Sequence, residues 1–493
     1  MDQREQSTPP IISEPDKSSP MGEIALDFIT PLWCYALVPV LKKKSTRFHL
    51  EVATAEQLSS HGGQVLVDAL ARRFSLWDRL AAIDSLDPRK RRSSGFSPTA
   101  IVAQILLGFC SGATSLADMD RLGSDPVLLG LFGLDAGADQ STLGEWLRAQ
   151  SDASVEAVMN LNRTLVAEVL AKANPARVLH AGRPVVFFDD TEIEVDGKTF
   201  EGARINYEGS RALSWQTLWV GPFVADAILD GAPDPSQHLG ELLAANRHLW
   251  AGQQAHFHAD SASSAAKSLA RIDQAGFGSW TVSYNQWTEK LDALAAELPE
   301  SAWTSEAPGE DGLQEAYGWL KHQPGEAEVS YRFACVRRKA AGEMFWRHAY
   351  VVGDDTTEKA SSRGPKLWLE RHRLKGASEQ GFSHLLRDLD LHHPPCQKLV
   401  ANQMYYALGI LAYNLLAALR VLDLPDDAQS WRLRAMIRNL LIVPVKVSTH
   451  ARKVRATICV PAGWMRWWRV FLQDHGPKRP HGGLRVRLDE DGC

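Results

Sequence analysis

The chain has 493 residues, 45% of them apolar and 23% charged, with a formal net charge of −5. That apolar content is enough for a large core divided among two to four domains or subdomains, and it excludes a wholly disordered chain. Six cysteines stand singly without a CxxC pair, which excludes a zinc ribbon or a disulfide framework and fits a reducing cytoplasm.

Residues 1–61 read as a disordered tail, rich in Ser, Pro and charge, followed by a leader segment. The apolar run "IALDFITPLWCYALVPVL" is broken by Asp27, Pro31 and Pro39, so no membrane span is expected there. Residues 62–180 are expected to form a helical DNA-binding region and carry helical patterning: "GQVLVDALARRFSLWDRLAAI", "SPTAIVAQILLGFCSGATSLADMDRL", "STLGEWLRAQ" and "DASVEAVMNLNRTLVAEVLAKA". In the third of these, Thr142 and Glu145 have capping-box spacing. A helix-turn-helix with Ser141, Thr142 and Arg148 near DNA is one reading of this region. A bundle with Leu143, Trp146 and Leu147 in its core is preferred, because apolar residues fill so much of the short helix.

The texture changes at residue 181. "PVVFFDDTEIEV" reads as a buried strand, where Asp189 and Asp190 are expensive unless something cationic meets them. A second strand around "TFEGARINYEG" and a third through "SWQTLWVGPFVADAIL" follow, then the helix "HLGELLAANRHLW", the strand "AHFHAD", the helix "SAAKSLARIDQAG" and the strand "SWTVSYN". Three strands followed by alternating helix and strand is the ribonuclease-H-like order. The expected class is therefore α+β, a mixed α/β fold in which carboxylates of non-adjacent strands meet at one place.

The core is expected in two parts, 181–286 and 364–425, split by a β-rich insertion over 287–363 with the strands "EVSYRFACVRRK" and "MFWRHAYVVGDD". The second part holds the helix "LWLERHRLKGASEQGFSHLLRDLDL" and the long apolar helix "QKLVANQMYYALGILAYNLLAALRVL". Residues 426–493 form a basic C-terminal segment: between Arg432 and Arg487 many Lys and Arg face the single acid Asp474. Phosphate affinity comes from such clustering rather than from total charge.

Three places carry acids that the local pattern does not require: Asp189 and Asp190, Asp260, and Glu379. Three carboxylates suit hard divalent ions, which take oxygen ligands and keep positions for water and phosphate. The structural alternatives are a strand end, an N-cap by Asp260, and a solvated pair of Lys375 with Glu379. His256, His258 and Asp260 alternate as HxHxD, the start of a zinc-hydrolase motif, but Ser261 stands where that motif continues with His. The two histidines read instead as flanking or phosphate-facing residues.

"DDTEIEVDG", "ADS", "KGASEQ" and "PPCQKLVANQMYYALGILAYNLL", in this order, resemble the DDE transposases of bacterial insertion sequences, in particular transposase DDE domain group one. The resemblance runs from about Gly62 to Val460. It implies a catalytic and metal-binding triad of Asp189, Asp260 and Glu379 with Mg²⁺ (Mn²⁺ as substitute), and it selects Asp189, where strand parity leaves Asp189 and Asp190 open. It further implies cut-and-paste transposition, with cleavage at inverted repeats and strand transfer into target DNA by a homodimer on DNA. No membrane is involved, and the location is the bacterial cytoplasm, at the nucleoid when bound. DNA contacts are expected from Lys375, Arg371, Trp303, Arg452, Lys453 and Arg455. The sequence departs from the family's pattern at His258, Gln380 and Leu386. The alternative from another class is a non-catalytic DNA-binding protein derived from such an enzyme.

Overall fold

The computed structural model describes residues 57–92, 95–206, 208–286, 288–309, 312–355, 364–450, 453–468 and 485–487, with the backbone alone for 375, 377–379, 449–450, 453–455 and 485–487. The tail and the apolar run before residue 42 lie outside the described residues.

The strands, in chain order, are β1 (Leu58–Ser59), β2 (Leu179–His180), β3 (Arg183–Glu194), β4 (Arg204–Ile205), β5 (Arg211–Val220), β6 (Phe223–Asp230), β7 (His256–Ala259), β8 (Ser279–Tyr284), β9 (Thr304–Ser305), β10 (Gln314–His322), β11 (Tyr331–Lys339), β12 (Arg347–Asp355), β13 (Val445–His450), β14 (Lys453–Ile458) and β15 (Arg485–Arg487). β2 to β12 form one mixed sheet of eleven strands, and β1, β13, β14 and β15 form a second sheet of four.

The centre of the large sheet runs β6-β5-β3-β7-β8, antiparallel on the β5 side of β3 and parallel on the β7 side. This is the ribonuclease-H-like arrangement that the order of elements predicts. The run read as one third strand is in fact the hairpin β5–β6. Gly221, at φ +55°, and Pro222, which lacks an amide donor, make the turn inside an apolar stretch. The expected second strand shrinks to β4. In the insertion, β10 was not expected; β12 pairs with β8, so the insertion extends the core sheet.

The N-terminal helices pack as a bundle. Ser97 and Ser151 cap the helices Pro98–Cys110 and Asp152–Lys172 by accepting from backbone amides, and Pro98 stands at the first turn. In the helix Gln140–Arg148 the cap is Asp139, which accepts from the Thr142 amide, not Thr142 itself. Leu143, Trp146 and Leu147 are buried, and Trp146 donates to the Leu86 carbonyl, as the bundle reading requires.

The helix Leu399–Asp423 packs against the helices Asp152–Lys172 and Pro98–Cys110 of the bundle and against β6 of the sheet. It is long and apolar enough to cross a membrane by composition, yet 89% of its most apolar window is buried inside the protein. Each large aliphatic side chain buried there contributes about 1.5–3 kcal/mol. Buried amides fix its register: Asn414 accepts from the Val224 amide and donates to the Val224 carbonyl and to Asn162 Oδ1, while Asn162 donates to the carbonyls of Val224 and Ala225.

The region 367–391, expected as one helix, divides instead into the helices Gly364–His372 and Lys375–Ser383 and a π-helical turn His384–Asp388. The basic C-terminal segment is folded in part. β13 and β14 bury Val445, Ala456 and Ile458, while Lys446 is exposed. The backbone register sets Ser448, Arg455 and Arg485 in one row and Lys446, Thr457 and Arg487 in another, both with the parity of exposed Lys446.

Candidate active site

Val, Phe and Ile carry β3 through the middle of the sheet, so its two aspartates stand on a rigid, half-buried support. β7 runs parallel to β3 from Val185↔His256 to Phe188↔Ala259. The ladder's offset of 71 residues is also the separation of Asp189 from Asp260, so Asp260 leaves the end of β7 alongside Asp189. There its carboxylate accepts from the Ala262 amide at 3.0 Å, capping the short turn Ser261–Ser263. The capping role is thus real, and it orients the carboxylate.

Neighbouring strands put paired residues on one face. Phe187, Asp189 and Thr191 of β3 therefore share a face with Trp219, Thr217 and Trp215 of β5. Phe187 stacks on Trp219 at 5.1 Å, and Phe382 packs on Trp219 and Trp215. Gly381 lets the helix come close, since a Cβ there would lie 2.6 Å from the Trp219 ring. The helix Lys375–Ser383, whose backbone includes Lys375 and Glu379, thus covers the Asp189 side of the sheet. The side chains of Lys375 and Glu379 lie outside the described residues.

Asp190 faces the other way. It accepts from Ser214 Oγ at 2.7 Å, and next to it Glu192 is held by Arg204 at 2.9 Å and Asn206 at 2.5 Å. Burial, opposed by the Ser214 hydrogen bond and joined by the negative charges of Glu192 and Asp260, pushes the Asp190 carboxyl up to about 6. A carboxyl raised in the folded state costs nothing at low pH, where it is protonated in both states. It costs progressively more as pH rises from about 3.8 to about 6, and the full amount above. Asp190→Asn, which keeps an acceptor for Ser214, is expected to raise stability by about 1–2 kcal/mol at pH 7.5 without metal and to leave it unchanged near pH 4. Urea unfolding at the two pH values checks this; an equal gain at both would assign it to packing rather than charge.

The remaining expected residues fall in different places. Trp303 is 6% exposed, with the Arg337 guanidinium over its ring at 4.3 Å, and a buried ring must move before it can stack on a base. Arg371 is tied to the buried Asp355 carboxylate at 2.6 Å. Lys453 and Arg455 are in β14, their side chains outside the described residues, as is all of Arg452. His256 and His258, read as flanking or phosphate-facing, are buried: His256 bonds Ser279 at 2.9 Å, and His258 stacks on Phe187. Burial first, then the positive charges of Arg371 and His372, holds the His256 ring down to about 3. Among the described residues HFHAD is not a place where three metal-ligating atoms converge.

His372 lies in the same polar layer, its ring nitrogens 3.2 Å from Thr281 Oγ1 and 2.6 Å from Ser283 Oγ. These bonds seat the helix Gly364–His372 on β8, just ahead of the helix with Glu379. Sequence reasoning missed this anchor, whose signal was the hydroxyl alternation Ser279, Thr281, Ser283.

The family model for transposase DDE domain group 1 matches residues 43–472. The chain belongs to this family. Members of the transposase DDE family act on DNA with the help of divalent metal ions. None of the curated proteins matches the chain.

Proposed function

We propose that this transposase cuts DNA at the ends of an insertion sequence and joins the freed 3′-hydroxyl to target DNA, using Asp189, Asp260 and Glu379 as its acidic triad. The observation that carries the reading is the β3–β7 register, which sets Asp260 beside Asp189 on the face that the helix with Glu379 covers.

The donor set fits a hard cation. Asp189 and Asp260 offer carboxylate oxygens on rigid backbone, and Glu379 stands on the helix packed against the same face. Mg²⁺ is the expected ion, with Mn²⁺ as substitute. Divalent ions held there would supply activation of the attacking oxygen and stabilisation of the leaving one in an in-line phosphoryl displacement. The chain's own contribution is to set Asp189 and Asp260 on adjacent strands under the helix that carries Glu379, and to keep the floor of the site apolar through Phe187, Trp219 and Phe382.

DNA binding is assigned to Lys375, one helical turn before Glu379, and to the basic rows of β13, β14 and β15, including Lys446, Lys453 and Arg455. Arg371 and Trp303, also expected among the DNA contacts, are engaged by Asp355 and Arg337. Pairing of two ends calls for a homodimer on DNA.

The test is cleavage, in Mg²⁺, of a duplex carrying the inverted repeats that flank the gene, by the native chain and by Glu379→Gln. Native cleavage leaving a 3′-hydroxyl, reduced at least ~10³-fold in the variant, is the expected result. Specific binding without cleavage by the native chain would instead favour a non-catalytic DNA-binding descendant. Equal cleavage by both proteins would remove Glu379 from the triad.

A further inference from the structure

The segment "DLDLHHPPC", Asp388 to Cys396, joins the π-helical turn His384–Asp388 to the helix Leu399–Asp423. Within it Asp390, His392 and His393 each offer one ligating atom, and these atoms all lie within 4.8 Å of one another. We propose that these three side chains bind a divalent transition-metal ion of the Zn²⁺ class. The site is built from different elements than the acids of β3 and β7, and it does not depend on the transposase chemistry proposed above.

The donor set decides the class of ion. Two imidazole nitrogens and one carboxylate oxygen suit Zn²⁺, Co²⁺ or Ni²⁺, whereas Mg²⁺ prefers oxygen alone. His392 Nδ1 lies 2.6 Å from the Leu386 carbonyl oxygen. An N–H donated there fixes the tautomer and leaves the lone pair on Nε2, the support that metal-bound histidines commonly receive from a backbone carbonyl.

The backbone is arranged for convergence. Asp390 adopts φ +57°, an unusual conformation for a residue with a side chain. His393 precedes Pro394, which restricts it to extended conformations. The two imidazole centroids are 3.9 Å apart.

Ordinary ion pairing is a weaker account of the cluster. The Nδ1 atoms of His392 and His393 stand 3.4 and 3.6 Å from the Asp390 carboxylate, beyond normal hydrogen-bond length. Bonds of about 2.0–2.1 Å to a shared tetrahedral ion would set the His393 nitrogen and the Asp390 oxygen about 3.4 Å apart, close to their present 3.6 Å, while His392 would bind through Nε2. Side-chain rotation can close the gap, because the His392 and His393 side chains are 45% and 70% exposed. Water would complete the coordination. A bound ion would tie the turn between the helix that carries Glu379 and the long core helix.

The experiment titrates metal-free, full-length protein with Co²⁺ in millimolar Mg²⁺, which occupies all-oxygen sites, and reads the visible absorption of coordinated Co²⁺ and its displacement by Zn²⁺. One equivalent is expected for the native chain and equally for Asp189→Asn. Asp390→Asn, whose amide side chain tolerates positive φ, is expected to weaken binding at least ~10-fold, and the double variant His392→Gln, His393→Gln at least ~100-fold. The proposal is overturned if the native chain gives no band in Mg²⁺, or if the band survives undiminished in the double variant.

Discussion

Asp189→Asn is expected to lower end cleavage by at least ~10³-fold, about 4 kcal/mol of transition-state stabilisation, while Asp190→Asn stays within ~10-fold of the native rate. The two residues are neighbours in sequence and opposites in the sheet. Asp189 pairs with Thr217 on the face bearing Trp219 and the helix with Glu379; Asp190 pairs with Gln216 and accepts from Ser214 on the other. An amide in place of a carboxylate keeps the volume but removes the charge that a hard cation requires. Mn²⁺ should raise the melting temperature of the native chain and of Asp190→Asn, and fail to do so for Asp189→Asn. Inactivation by Asp190→Asn with Asp189→Asn still active would move the first acid to the opposite face of β3.

A loss of about 3–5 kcal/mol in stability is expected for Arg163→Met, far from the acids. Arg163, in the helix Asp152–Lys172, bonds the Asp226 carboxylate of β6 at 2.5 Å, and Asn246 and the Ala227 amide supply further donors at 2.8 and 2.9 Å. The Asp226 side chain is only 4% exposed, and burial pushes its carboxyl up despite these partners. Removing the guanidinium leaves a buried negative charge with amide donors alone, the costly half of a broken pair. Urea unfolding should show the loss. The double variant Arg163→Met, Asp226→Leu should recover part of it, because two apolar side chains leave no charge unpaired. A double variant no better than the single one would assign the loss to packing along the helix.

How much of this was legible in the residues differs from place to place. β3 stood out because Val185, Val186, Phe187 and Phe188 run unbroken into the acids, and the order of strands and helices after it gave the sheet order. Alternation alone leaves Asp189 and Asp190 open, since it does not say which face the helix Lys375–Ser383 covers. β5 and β6 merged in the sequence because "VGPF" interrupts apolar residues with only a two-residue turn. β10 was hidden by Gly318, which sits against Trp303 and weakens the strand pattern. "VKVSTH" and "KVRATI" do alternate, and that signal for β13 and β14 was masked by the eye-catching charge. Trp303 and His258 illustrate a different limit: a residue type suited to nucleic acid says nothing of whether its ring is already covered.

The ladder between β8 and β12 runs from Tyr284↔Tyr350 to Ser279↔Asp355 and is anchored on its core side by β7. Mechanically, core and insertion form one beam. A nucleic acid gripped by the outer strands would be positioned against Asp260 by sheet twist and bending stiffness rather than by a hinge. Lengthening a strand there, unlike lengthening a linker, would act as a ruler, resetting where along the DNA the cut falls.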